Sequence, residues 1–240
     1  MLDERLRATR NASGQVLRWP TPRSRDWADA FVDSAKSDPN IVAIVAIGSA
    51  VRPRVSSADL DLVVICRDPE VLNEAPPMEV DLRAYSEAGV DAQLESGHDM
   101  LGWAVRFGKA LFQRDCFWDK VVDSWRHRLP LPSSELARAR AAVAYRHLTG
   151  VFELGDRDAA HEQALSYLTH LARGELLDRG VYPASRPELA EQLRSIGNLR
   201  LAEWLDRLLD GESMDWSQID KLLKVDQPCA PPRLAEPFEQ

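Results

Sequence analysis

The run IVAIVAI over residues 41–47 is apolar at every position and mostly β-branched. A half-solvated strand would alternate, so this one is expected to be covered on both faces. Before it, SRDWADAFVDSAKSD places Trp27, Ala30, Phe31 and Ala35 at helical spacing from Ser24 and stops at Pro39, which predicts an amphipathic helix. After Gly48 the pattern dissolves into a loop containing Pro53 and two serines, then resumes as a second strand, DLDLVVIC, over 59–66. A turn-rich stretch ending in Pro76 and Pro77 leads to a third, MEVDLRAY. Residues 86–109 read as helix broken near Gly97, LFQRD as a short edge strand and FWDKVVDSWRHR as a further helix.

Pro130 and Pro132 mark a change of character. From Ser133 to about Leu223 no strand pattern recurs, and four or five helices are punctuated by Gly155, Gly180, Pro183, Pro187, Gly197 and Gly211. In SSELARARAAVAYRHLTGVFEL the Ser134–Glu135 start, the alanine-rich interior and the spacing of Leu136, Val143, His147 and Val151 predict one long packed helix. The expected fold class is therefore α+β: a domain with a mixed sheet over 1–130, an all-helical domain over 131–228, and a Pro-rich tail over 229–240.

Composition narrows the class without naming a chemistry. A hydrophobic share of 45% with 28% charged residues, and no apolar stretch near the ~18–20 residues of a membrane span, describes a globular chain with no membrane partner. The start MLDERLRATR has no apolar core of a secretory signal, and Cys66, Cys116 and Cys229 are scattered and odd in number. Both features favour a cytoplasmic location and argue against a disulfide framework or a cysteine zinc site. A net charge of −8 argues against an extended nucleic-acid interface.

The two carboxylates that open the second strand carry the chemistry. Side chains alternate along a strand, so Asp59 and Asp61 leave the same side about 7 Å apart while Leu60 and Leu62 enter the core. Like charges so placed need a cation between them. Hard oxygen donors without histidine or thiolate favour Mg²⁺, which takes one or two carboxylates and completes its octahedron with water and substrate phosphates. A third acid is available on MEVDLRAY, whose Met78, Val80 and Leu82 face one way and Glu79, Asp81 and Arg83 the other. Asp81, flanked by Val80 and Leu82, is preferred, with Glu79 as the alternate. Gly48 lets backbone approach a phosphate, and the Ser49 hydroxyl with neighbouring amides can hold a polyphosphate oxygen.

Gly48-Ser49, Ser57, Asp59-Leu60-Asp61 and Val80-Asp81-Leu82 together resemble the signature of the polymerase-beta-type nucleotidyltransferase superfamily, in particular its minimal members and the aminoglycoside adenylyltransferases. The resemblance covers residues 41–85 by motif and, beyond them, only the order of elements. It implies a polymerase-beta-like nucleotidyltransferase domain followed by a helical acceptor-binding or interaction domain. It further implies Gly48, Ser49 and Ser57 on the nucleotide, Asp59, Asp61 and Asp81 as catalytic and metal-binding residues, and two Mg²⁺ ions. The expected reaction moves a nucleoside monophosphate, AMP from ATP or its equivalent from another triphosphate, to a hydroxyl of a small acceptor such as an aminoglycoside. Where many members have a glycine-rich turn this chain has VRPRV, whose Arg52 and Arg54 either touch phosphate or are solvated loop charges; Arg52 is carried forward as a nucleotide contact.

Two other readings remain at this stage. A regulatory or antitoxin-type nucleotidyltransferase would act on or bind a protein partner, and a binding-only descendant would keep the fold without turnover. In the helical half, His161, Glu162, Tyr167, His170 and Arg173 cluster in sequence, Arg140 and His147 fit the loose pattern of HEPN ribonucleases, and Glu153 is a candidate base. On helices such residues ordinarily line the rim or the core. Trp103, Trp118, Trp125, Trp204 and Trp216 are assigned to packing.

Overall fold

Thr21 opens the first helix, α1 (Pro22–Ser37), with a reciprocal cap: its hydroxyl accepts from the Ser24 amide at 3.1 Å, and the Ser24 hydroxyl accepts from the Thr21 amide at 3.2 Å. The computed structural model describes residues 16, 18–52 and 59–212. The buried stripe of α1 is Ser24, Ala28, Phe31, Val32 and Ala35. Ala30, expected on that stripe, is exposed, because it lies more than half a turn from Ala28 and a lone alanine carries little directional signal.

The sheet contains β1 (Ile41–Ile47), β2 (Leu60–Cys66), β3 (Val80–Ser86) and β4 (Lys109–Gln113), in the order β3-β2-β1-β4. β1 runs antiparallel to β2 and β4, whereas β2 and β3 are parallel. All seven β1 residues are buried, as an uninterrupted apolar run predicts. An irregularity between Ile41 and Ala43 interrupts the alternation of faces. Ile41, Ile44 and Ala46 then join Leu60, Leu62, Val64 and Val80 against Phe31 and Val32 of α1. Val42, Ala43, Val45 and Ile47 join Val63 and Ile65 on the other face. That face packs on α2 (Val90–Glu95), α3 (Asp99–Phe107) and α4 (Phe117–Trp125), through Leu94, Leu101, Trp118 and Trp125. The helical break falls at Gly97, whose φ is +76°.

Arg114, just past β4, ties three segments together. Its Nη2 donates to the carbonyls of Ala35 (2.6 Å), Lys36 (3.2 Å) and Asp38 (2.8 Å), while Nε donates to Ile41 O at 2.8 Å. The guanidinium thus satisfies carbonyls at the end of α1 that the helix itself leaves open. Arg114→Ala is expected to cost on the order of 3 kcal/mol, read as a lower urea midpoint at unchanged m-value. An unchanged midpoint would remove Arg114 from the folding argument.

The chain divides into two compact units, Met1–Pro132 and Ser133–Gln240. In the second, α5 (Ser134–Glu153), α6 (Arg157–Asp178), α7 (Leu189–Ser195) and α8 (Leu199–Leu209) are capped at their N-termini by Ser133, Asp156, Glu188 and Asn198. Ser133, Asp156 and Asn198 do so with side-chain acceptors. The expected face of α5 is corrected here. Its buried residues are Ala137, Ala141, Ala144 and Leu148, whereas Leu136 and Val143 are exposed. Small side chains let the α5 backbone approach α6, where Ala160, Ala164 and Leu168 meet them, and large residues at those positions would hold the helices apart.

The architecture is α+β, a mixed four-stranded sheet with helices, followed by a unit that is helical among its described residues; it is the class expected of a nucleotidyltransferase-like fold. No helix among the described residues is long and apolar enough to cross a membrane. Trp118 and Trp125 are core residues, and Trp125 Nε1 donates to Asp91 at 2.7 Å. Trp103 and Trp204 are half-buried, and Trp216 lies outside the described residues.

Candidate functional site

At the end of β1 the backbone turns through Gly48 at φ +73°, ψ −156°, a region open essentially to glycine alone. A Cβ built on Gly48 would overlap Oδ2 of Asp61 and stand 3.3 Å from its Cγ. The first motif therefore lies directly against a carboxylate of the second. Ser49 begins a single 3₁₀ turn, Ser49–Val51, closed by the Arg52 amide donating to Ser49 O at 3.1 Å and anchored by the buried Ala50 and Val51. Arg52 then lays its guanidinium over the Phe107 ring, 4.7 Å from the centroid, and Arg106 lies 5.7 Å from the same centroid. Ser57 and Arg54 lie outside the described residues.

Asp59 is exposed immediately before β2, and Asp61 is half-buried within it. Leu60, fully buried between them, donates its amide to Glu79 O at 2.8 Å and so locks β2 to the start of β3. The parallel register then pairs Asp61 with Asp81 and Val63 with Arg83. Register partners on neighbouring strands leave the same face of a sheet, so Asp61, Asp81 and Arg83 share one side. It is the side that carries Val63 and Ile65 against the α2–α4 layer.

Glu79, the alternate third acid, is engaged elsewhere. The Thr21 hydroxyl donates to its Oε1 at 2.8 Å and, as the largest influence, holds the carboxyl below the usual glutamate range. Asp81 is bound by Arg83, whose Nε and Nη2 reach its Oδ2 at 3.1 and 2.8 Å. That contact, with smaller contributions from Tyr85 and then Asp61, raises the guanidinium above its ordinary value. Among the described residues no group of three His, Cys, Asp or Glu side chains is arranged to hold a metal ion. Asp59 and Asp61 retain the donor chemistry for one hard cation that takes its remaining ligands from water and phosphate.

No protein-family model matches the chain. No curated protein matches it. Among solved structures it is similar to a nucleotidyltransferase-like protein from Exiguobacterium sibiricum 255-15, at 20% identity and a TM-score of 0.33, covering 85% of this chain and 80% of that chain. At that level of likeness, activity has to be read from the chain's own residues.

The other candidates are dispersed. Arg140, His147 and Glu153 are exposed on α5, and His161, Glu162, Tyr167, His170 and Arg173 belong to α6, where Tyr167 is fully buried in the helical core. Burial pushes the Cys66 thiol up to about 11, with Asp38 and Asp68 adding to the shift, so it is no nucleophile at neutral pH. Two residues at the site had no role assigned from sequence. Strand alternation placed Arg83 on the polar face without indicating its partner, and nothing in the sequence tied Phe107 to Arg52.

Proposed function

We propose that the chain is a nucleotidyltransferase that moves a nucleoside monophosphate, AMP from ATP in the first instance, to a hydroxyl of a small-molecule acceptor. The observation that supports this reading most is convergence. Gly48 lies against Asp61, and Asp61 stands beside Asp81, although the three belong to separate segments of the chain. A half-buried carboxylate packed on a glycine turn is costly decoration for a merely structural sheet end, and useful where a phosphate must approach closely.

In the reaction the acceptor oxygen forms a bond to the α-phosphorus as the bond from that phosphorus to the β-phosphate bridging oxygen breaks. Pyrophosphate leaves with the electron pair, and the hydroxyl proton passes to solvent. Asp59 and Asp61 would hold Mg²⁺, which supplies positive charge to the phosphate oxygens. Ser49, the amides of its turn and Arg52 receive the outer phosphates, with Ser57 as a further contact. Phe107 keeps the Arg52 side chain over its ring and so limits the freedom lost when a phosphate binds. Positioning and charge carry the rate, since phosphoryl transfer asks little covalent work of the protein.

Thermal unfolding with each nucleoside triphosphate, with and without Mg²⁺, tests the reading. At a ligand concentration of 100 Kd the stabilisation is about 2.7 kcal/mol, a rise of several degrees that should require the metal. Absence of metal-dependent stabilisation with every triphosphate would reject it.

A further inference from the structure

Arg83 holds the carboxylate that was expected to complete the metal site. Two of its nitrogens are committed to the same oxygen of Asp81, at 3.1 and 2.8 Å, and the two residues are neighbours on one face of an extended strand. The side chain remains 53% exposed, and Nη1 makes no hydrogen bond to any described residue. The result is a planar fork held on one edge by a carboxylate and open on the other, on the sheet face that also carries Asp61. An exposed pair of this kind contributes little to stability, so holding the fold together does not account for it.

The donor set points the same way. No three-carboxylate cluster exists among the described residues to bind the second ion. We propose that Arg83 is a catalytic residue of this site: held by Asp81, it contacts the α-phosphate of the nucleoside triphosphate and supplies the positive charge of a second ion, so that transfer proceeds with one ion on Asp59 and Asp61. Asp81 is then a positioning residue, not a metal ligand. Arg83 neither gives nor takes a proton, and the bonds made and broken are those of the proposed transfer. The inference rests on that reading of the site.

The test counts ions and measures nucleotide binding on the full chain, with Mn²⁺ and the α,β-methylene analogue of the triphosphate that stabilises most, which cannot be cleaved. Electron paramagnetic resonance at saturating analogue should find one protein-bound Mn²⁺ in wild type and still one in Asp81→Asn. Arg83→Gln should weaken analogue binding ten- to a hundredfold at an unchanged unfolding midpoint, and Arg83→Lys, which keeps charge but loses the fork, should recover only part of it. Two ions in wild type with one lost in Asp81→Asn, or wild-type analogue affinity in Arg83→Gln, would overturn the inference and leave nucleotidyl transfer standing. If wild type binds neither Mn²⁺ nor analogue, both fall together.

Discussion

Asp61→Asn should lower nucleotidyl transfer by about 10³-fold or more without lowering the unfolding midpoint. The argument for activity is that Asp61 is the carboxylate packed on the Gly48 turn and paired in register with Asp81. A metal-borne charge on the reacting phosphate contributes several kcal/mol, and about 4 kcal/mol corresponds to that rate factor. The argument for stability runs through the same geometry. Like charges side by side on neighbouring strands disfavour the pairing, so neutralising one removes a repulsion while the amide keeps the shape. A labelled-nucleotide transfer assay and a melting curve on the same preparation decide it. Transfer within a few fold of wild type would take Asp61 out of the machinery, and a collapsed midpoint would make it structural.

Gly48→Ala should fail for a reason separable from backbone strain. The turn conformation itself costs a non-glycine residue about 1–3 kcal/mol, and the added methyl must also displace the Asp61 carboxylate. Gly180 provides the comparison: its φ is +74° against +73° at Gly48, but a Cβ there meets nothing within 4 Å. Gly180→Ala should therefore lose about 1–2 kcal/mol from the left-handed backbone alone and keep its full response to Mg²⁺ and triphosphate. Gly48→Ala should lose more stability and most of that response, by thermal unfolding at matched ligand concentration. Equal nucleotide responses in the two variants would break the link between the glycine turn and Asp61.

The sheet was readable because its signals were local. IVAIVAI has no polar face to offer solvent, and alternation in DLDLVVIC separates its carboxylates from its leucines. Adjacency of Asp61 and Asp81 was not readable from either strand. It depends on the β2–β3 register, and a slip by one residue would have turned Asp81 toward α1. Neither strand showed that Glu79 meets Thr21, a residue far away in sequence whose hydroxyl draws it to the helix cap. On α5 the larger Leu136 and Val143 suggested the buried face, but close packing against α6 favours alanine there. Arg114 shows the same limit, since an arginine in a short polar segment carries no mark of the helix end it closes.

β3 is an outer strand of the sheet, with β2 on its only paired side among the described residues. Asp81 and Arg83 therefore also act as gatekeepers against self-association, since charged side chains on an unpaired border discourage another chain from adding a strand. Stripping both charges at once would leave Val80, Leu82 and Ala84 on a border with much less to repel a neighbour. Any substitution of these charges on β3 is thus also a change to the solubility of the protein.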